Sequence, residues 1–445
     1  MLMTSQISRN AEHKCPITTI CLIVVAVATQ VSPVHSQNLP NDSQNMVLQN
    51  VSVIDVVSGV CEDNMDIVVK GQRISSITMH DPDRYDKAAK LIDLTGKFAI
   101  PGLIEGHTHI SGTPEKNLTR SLGMGLVALR DMGGDGAYLM ELQEAVKSGE
   151  LSAPDIHFSA LMGGRDLIIN DPRARLSTPP SYALGQAPWM RMVEDSSDFK
   201  QIIQDARDCG ATGIKMYAHL TSRMCSELAK EAKKEGLKVW AHSFVYPATV
   251  NDVVRSGVEV VSHASGLLLD DDWSLEKDGS LAFDSIRMYS GQLDSTLSLM
   301  KEKDVVLDPT LVILKWQIMQ QSDDRTTKKL CNMLYEVVRR AYERGVKIVA
   351  GTDDPHVLAS DGESLTLHEE MEALVINAGL PPIEALRAAT INNAEILGID
   401  STQGSLEVGK LADLVILDRN PLDNIENIRL VNMVIKSGEV IKEGE

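Results

Sequence analysis

The residues best suited to chemistry in this chain are two histidines one residue apart, His107 and His109. Side chains on an extended strand alternate between its faces, so residues at positions i and i+2 point the same way. Two imidazoles placed in this way can bind one metal ion. The pair is weak evidence alone, because histidines at this spacing also occur on protein surfaces, and its weight depends on further ligands downstream.

Four further residues that could serve such a site stand at the ends of short apolar runs. They are Lys215, His242, His263 and Asp353. The runs before them are rich in valine and isoleucine, which is typical of buried β-strands. Imidazole and carboxylate groups are common ligands of divalent transition metals, so the six residues together predict a metal centre.

The segments between these runs carry helical patterns. Phe199, Ile202, Ile203 and Ala206 recur at helical spacing, and Gly210 follows them as a typical helix end. Alternating strands and helices predict a parallel sheet. Reactive residues at the carboxyl ends of successive strands predict a closed (β/α)8 TIM barrel, an α/β fold with its site at that mouth. An open doubly wound sheet is the alternative.

Several motifs occur together, in one order, between about Met46 and the C-terminus. They are residues 102–109 (GLIEGHTH), 129–134 (LRDMGG), 213–217 (GIKMY), 350–353 (AGTD) and 404–418 (GSLEVGKLADLVILD), with the two runs that end in histidine. Each motif alone is common. As a set they resemble the amidohydrolase superfamily, in particular its metal-dependent hydrolases near the imidazolonepropionases and Xaa-Pro dipeptidases. The resemblance implies a TIM barrel beside a small β-sandwich built from both chain ends.

The resemblance also implies a centre with two divalent ions. The implied ligands are His107, His109 and Asp353 for the first ion, His242 and His263 for the second, and a carboxylated Lys215 as the bridge between them. An ammonium group cannot bind a cation, so Lys215 fits this set only after it loses a proton and reacts with carbon dioxide to form a carbamate. Zinc is the favoured metal, and cobalt, manganese and nickel suit the same ligands.

The implied chemistry is hydrolysis by a hydroxide that bridges the two ions. Asp353 would take a proton from the attacking oxygen and deliver it to the leaving amine, and Asp354 is its rival for this role. The predicted substrate is the carboxamide of a dipeptide or an N-acyl amino acid. The alternatives are hydrolysis of a lactone, a cyclic amide or an organophosphate ester and, in another class, a catalytically silent binding scaffold.

A long segment rich in glycine and proline, residues 162–194, predicts an extended loop at the barrel mouth. The candidate substrate-binding residues are Arg165, Arg173 and Arg175 in this segment, and Tyr217. A guanidinium group is well shaped to bind a substrate carboxylate through two hydrogen bonds. A tyrosine close to Lys215 could donate a hydrogen bond to the oxyanion that forms at the attacked carbonyl.

The charge of the chain limits the classes of partner. It has 43 basic and 62 acidic residues and a formal net charge of −19, which argues against nucleic acid and against an anionic membrane surface. Small diffusible substrates fit this charge better. The sequence leaves the oligomeric state open, including a homo-oligomer.

The N-terminus has the form of a secretory signal peptide, with Arg9 and Lys14 before an apolar stretch. It predicts cleavage after Ser36 and an exported protein, periplasmic or secreted. The predicted organisation is a signal peptide over residues 1–36, the first part of the β-sandwich over 37–100, the hydrolase barrel over 101–400 and the second part of the sandwich over 401–445.

Overall fold

A computed structural model of the chain describes residues 46–85, 90–269 and 292–443. The predicted signal peptide lies outside these described residues, and export through it stays a prediction. No helix in the described part of the chain combines the length and the apolar character needed to cross a membrane.

The described residues form two sheets with helices between the strands. The strands are β1 (Met46–Ile54), β2 (Cys61–Lys70), β3 (Arg73–Met79), β4 (Lys90–Asp93), β5 (Phe98–Pro101), β6 (Leu103–Thr108), β7 (Leu126–Asp131), β8 (Asp155–Gly164), β9 (Gln186–Ala187), β10 (Met190–Val193), β11 (Gly213–Met216), β12 (Lys238–His242), β13 (Val260–Ser262), β14 (Val306–Asp308), β15 (Leu414–Leu417), β16 (Val431–Lys436) and β17 (Glu439–Lys442). The helices are α1 (Glu115–Gly123), α2 (Gly136–Ser148), α3 (Arg165–Asn170), α4 (Pro172–Leu176), α5 (Phe199–Asp208), α6 (Ser222–Lys234), α7 (Val250–Arg255), α8 (Leu293–Glu302), α9 (Leu311–Gln321), α10 (Asp324–Glu343), α11 (Thr366–Glu372), α12 (Pro382–Ala388) and α13 (Ile391–Leu397).

The first sheet is a parallel barrel. Its strands pair side by side in the order β6, β7, β8, β11, β12, β13 and β14. The next segment of the chain closes the ring through two parallel bridges, Ile348 to Leu307 of β14 and Asp354 to Thr108 of β6. The predicted (β/α)8 barrel is therefore confirmed, although its eighth strand is reduced to these bridges.

Burial explains why the barrel strands could be recognised from the sequence as apolar runs. Every residue of β6, β7 and β11 is buried, as expected for parallel strands covered by helices on the outside and by packed side chains within. Helix α5 buries Ile202, Ile203 and Ala206, as its spacing predicts. Asp198 caps its first turn by accepting a hydrogen bond from the backbone N–H of Gln201.

The second sheet is built from both chain ends. Its strands run in the order β17, β16, β15, β5, β1, β2 and β3, with β4 paired to β1. Strands β15 and β5 join the two ends in antiparallel register, with Leu414 opposite Pro101 and Ile416 opposite Ala99. A second sheet built from both chain ends is consistent with the predicted β-sandwich, while the exact domain boundaries stay predictions.

The segment 162–194 differs from the loop that its composition suggested. Strand β8 continues to Gly164, and α3, α4, β9 and β10 follow. Strand β10 pairs in parallel with β8. The physical reason is local: Asp171 caps α4 by accepting from the backbone N–H of Arg173, and Pro172 occupies a first-turn position where its missing N–H costs nothing.

Candidate metal centre

The six predicted ligands lie at the carboxyl ends of the barrel strands. His107 is in β6 and His109 follows it, Lys215 is in β11, His242 ends β12, His263 follows β13, and Asp353 lies in the segment that closes the barrel. Ligand atoms of His107, His263 and Asp353 all lie within 4.8 Å of one another. The His242 ring lies 4.4 Å from that of His263, centroid to centroid. The fold therefore brings residues that are far apart in the sequence together at the mouth of the barrel.

Asp353 is the anionic member of this cluster. Its Oδ1 lies 3.0 Å from Nε2 of His109 and 3.4 Å from Nε2 of His107. Burial raises the pKa of this carboxyl, but the neighbouring imidazoles of His107, His109 and His263 outweigh that effect and hold it well below its usual range. The site thus contains a carboxylate that stays ionised, as a ligand to a cation must.

The other ring nitrogens of the paired histidines are already engaged. His107 Nδ1 lies 2.7 Å from Oδ2 of Asp308, and His109 Nδ1 lies 3.1 Å from the carbonyl oxygen of Gly133. Both partners are acceptors, so each Nδ1 carries a hydrogen, and each Nε2 faces Oδ1 of Asp353, where a metal ion or a proton can lie between the two atoms. This is the arrangement by which proteins orient histidine ligands of metals.

His242 and His263 form a second group of imidazoles. Burial, reinforced by neighbouring cationic groups, lowers the pKa of His242 well below its ordinary value. Burial also lowers the pKa of His263 to about 3. His242 Nδ1 has no hydrogen-bond partner among the described residues, although it is buried. A neutral imidazole with an unpartnered buried nitrogen fits a metal ion as its missing partner.

Lys215 lies inside the barrel wall with only 1% of its surface exposed. Its Nζ donates a hydrogen bond to Oγ of Ser262 over 2.8 Å, and it forms no ion pair within the described part of the chain. Burial lowers the pKa of Lys215 to about 7, against the attraction of Asp308. A large fraction of neutral amine is therefore present near neutral pH, which is the form that attacks carbon dioxide.

Two of the predicted substrate-binding residues lie beside this cluster. The Tyr217 ring packs against the His242 ring with centroids 3.9 Å apart and ring planes tilted by 41°. Arg173 Nη2 donates to the Tyr217 hydroxyl over 2.8 Å, while its Nε and Nη2 also bind Asp171. The Arg173 side chain is nevertheless 65% exposed, so it is accessible to solvent.

The two other predicted arginines have no described contact with the cluster. Arg165 is exposed and lies 3.5 Å from the carboxylate of Glu194. Arg175 is exposed on α4. The structure thus places Arg173 and Tyr217 at the site and brings neither Arg165 nor Arg175 to it.

Three buried charged residues beneath the cluster were not predicted from the sequence to take part in the site. Asp308 supports His107 from β14, and Arg130 on β7 packs its guanidinium 4.6 Å from the centroid of Trp240. Glu105 accepts hydrogen bonds from the backbone N–H groups of His107 and Thr352. Asp308 could have been recognised, because it also ends a short apolar run. Glu105 and Arg130 carried no signal beyond their place in family motifs.

Comparison with known proteins agrees with this architecture. Residues 98–441 match the model of the amidohydrolase family. The chain is 24% identical over 411 residues to a 5-methylthioadenosine/S-adenosylhomocysteine deaminase of Thermoanaerobacter pseudethanolicus, covering 84% of this chain and 85% of that protein. It is 23% identical over 401 residues to an imidazolonepropionase of Treponema denticola, covering 85% and 92% respectively.

Solved structures show the same fold. A Xaa-Pro dipeptidase with bound methionine in its active site has a TM-score of 0.73 and 22% identity, covering 90% of this chain and 100% of that one. A putative prolidase from Bifidobacterium longum has a TM-score of 0.69 and 24% identity, covering 91% and 96%. The family match spans well over half of the sequence and includes every strand of the barrel. The chain therefore belongs to the amidohydrolase family and is a hydrolase that acts on carbon–nitrogen bonds, as its motifs predicted.

Proposed function

We propose that this protein is a binuclear metal-dependent amidohydrolase that cleaves the carboxamide of a dipeptide or an N-acyl amino acid. The observation that carries the proposal is the position of Lys215, fully buried in the ring of strand ends that also holds the histidines and Asp353. A buried ammonium would repel any cation there. The neutral amine can instead bond to carbon dioxide through Nζ and release a proton, which gives an anionic carbamate.

The ligand sets follow from the two groups of side chains. His107, His109 and Asp353 would hold one ion, His242 and His263 the other, and the carbamate of Lys215 would lie between them. Two divalent ions bound there, with zinc favoured, would lower the pKa of a water molecule and polarise a substrate carbonyl.

Asp353 is the residue that we assign to proton transfer. Its side chain is 17% exposed, whereas that of His107 is 1% exposed, so a substrate at the mouth can reach it. A carboxylate in this position can accept a proton from the attacking oxygen and pass it to the departing amine nitrogen. Asp354 does not serve this role, because its Oδ1 accepts from the backbone N–H of His356 in a turn.

Arg173 and Tyr217 support a substrate with a carboxylate near the scissile bond. Because Arg173 donates to the Tyr217 oxygen, the tyrosine O–H can point elsewhere and donate to the substrate carbonyl. Asp171 holds the guanidinium through Nε and Nη2, which leaves Nη1 for the carboxylate of an amino-acid substrate. This pair favours amino-acid derivatives over lactones and phosphate esters.

The test is a hydrolysis panel with zinc-loaded full-length protein and bicarbonate present. The panel contains dipeptides, N-acyl amino acids, lactones, cyclic amides and organophosphate esters. We expect carboxamide cleavage, and a decrease in kcat of about 100- to 10,000-fold or more in Lys215→Ala and Asp353→Asn, with both variants folded. Asp354→Asn is the matched control and should retain most of the activity.

Two results would contradict the proposal. Full activity in both Lys215→Ala and Asp353→Asn would exclude the assigned mechanism. Turnover of esters or lactones alone, with no release of an amine, would assign the protein to the other predicted class of substrate.

A further inference from the structure

A chain of hydrogen bonds joins Lys215 to a buried carboxylate three strands away in the barrel. Lys215 Nζ donates to Ser262 Oγ over 2.8 Å, and Ser262 Oγ donates to Asp308 Oδ2 over 2.9 Å. Ser262 and Asp308 lie opposite each other in the register of β13 and β14. Both are fully buried, so solvent does not compete for these contacts.

The direction of the Ser262 hydroxyl is fixed by its partner. The same Oδ2 of Asp308 also accepts from His107 Nδ1 over 2.7 Å, and the guanidinium of Arg130 lies 3.5 Å away. An ionised carboxylate can only accept hydrogen bonds. The Ser262 hydrogen must therefore point at Asp308, and a lone pair of its oxygen must face Lys215.

This arrangement matters for a carboxylated lysine. Carboxylation forms one bond between Nζ and the carbon of carbon dioxide and releases one proton, so the nitrogen keeps a single hydrogen. That nitrogen is planar, with Cε, the hydrogen and the new carboxyl carbon as its three substituents. If the hydrogen is held on Ser262, only one direction is left for the carboxyl group.

We propose that Ser262, aligned by Asp308, is a positioning residue that sets the direction of the carbamate on Lys215. The inference rests on the proposed function, because it requires the modified lysine. It adds a link between the two halves of the centre, since the carboxylate that orients His107 also orients the hydroxyl that faces Lys215.

The test compares four full-length zinc-loaded proteins in carbon-13-labelled bicarbonate: wild type, Ser262→Ala, Ser262→Thr and Ser159→Ala. Ser159 is the matched control, a buried serine on barrel strand β8 whose hydroxyl donates to the backbone oxygen of Asp131. Carbon-13 NMR measures the carbamate signal as bicarbonate is varied, and metal analysis measures the zinc bound per chain.

We expect Ser262→Ala to need about tenfold more bicarbonate for half-maximal carboxylation, which corresponds to the loss of about one buried hydrogen bond. It should also lose most of its second zinc ion. Ser159→Ala should match the wild type, and Ser262→Thr should recover the signal because it restores the hydroxyl.

Each contrary result has a distinct meaning. Equal carboxylation of Ser262→Ala and wild type would overturn the positioning role and leave the proposed function intact. A folded Ser262→Thr with no more carbamate than Ser262→Ala would assign the effect to packing and also overturn it. A wild-type protein with two zinc ions and no carbamate would refute the bridging lysine, and with it this inference.

Discussion

Replacement of Lys215 by methionine should change how stability depends on pH in the metal-free protein. Methionine keeps most of the length of the side chain and removes the charge. Lys215 is fully buried, and its Nζ contacts a neutral hydroxyl, that of Ser262. Burial lowers its pKa from the ordinary value of 10.5 to about 7. The folded protein therefore binds a proton at Lys215 more weakly than the unfolded chain does. The Lys215→Met variant lacks this difference, because methionine binds no proton.

The sign and size of the effect follow from proton binding. Between pH 7 and pH 10.5 the unfolded chain keeps the proton on Lys215 and the folded protein releases it, so stability rises with pH across that window. Each pH unit contributes about 1.4 kcal/mol, which sums to roughly 5 kcal/mol. Below pH 7 this effect should lower the free energy of unfolding of the wild type by the whole amount relative to Lys215→Met. Above pH 10.5 it should not lower it at all.

Urea unfolding followed by tryptophan fluorescence can measure this difference at intervals from pH 6.5 to pH 10, in chelator-treated protein under carbon-dioxide-free gas. Lys238→Met, on the neighbouring strand, controls for the loss of a partly exposed lysine that pairs with Glu259. Only the pH-dependent part of the difference is used, because packing contributes a constant. If the gap between wild type and Lys215→Met were the same at every pH, the reasoning about Lys215 would be refuted.

Three further predictions concern buried groups around the centre. Asp308→Ala leaves the guanidinium of Arg130 buried without its carboxylate and should lower the free energy of unfolding by about 3–5 kcal/mol, measured by chemical denaturation. Gly106→Ala should be destabilising by about 1–3 kcal/mol in a thermal melt, because the added Cβ would clash with Oδ1 of Asn393 and with the carbonyl oxygen of Ala350. An unchanged melting temperature would contradict the packing described. Burial raises the pKa of Glu370 from 4.5 to about 8, so stability should fall as pH rises between those values, and Glu370→Gln should lack that slope.

The sequence predicted the barrel because its strands are buried on both faces. Runs such as those before His242 and His263 are therefore mostly apolar, and their ends are the positions where a polar side chain can face the mouth. Repetition of that pattern identified six residues that the fold brings to one place. The run before Asp353 predicted an eighth strand in the same way, but in the structure this segment contacts its neighbours only through single bridges.

The supporting charges could not be predicted in the same way. Charged residues are rarely fully buried, so Glu105 and Arg130 within apolar strands carry no pattern that distinguishes a buried role from an exposed one. Their roles depend on partners far away in sequence. Glu105 accepts from Thr352, and Arg130 reaches Asp308. Such contacts exist only once the barrel has closed.

Two residues of the candidate ligand set adopt backbone conformations that cost free energy. His263 and Asp353 adopt φ values of +75° and +57°, a region that side chains other than glycine rarely occupy and that costs about 1–3 kcal/mol for each residue. His263 comes directly after β13, and Asp353 lies in the segment that closes the barrel, one residue before the bridge of Asp354 to Thr108. In this conformation the side chain of Asp353 faces His107 and His109 across the mouth. Two strained residues within one candidate ligand set are therefore better explained by selection for the direction of these side chains than by selection for stability.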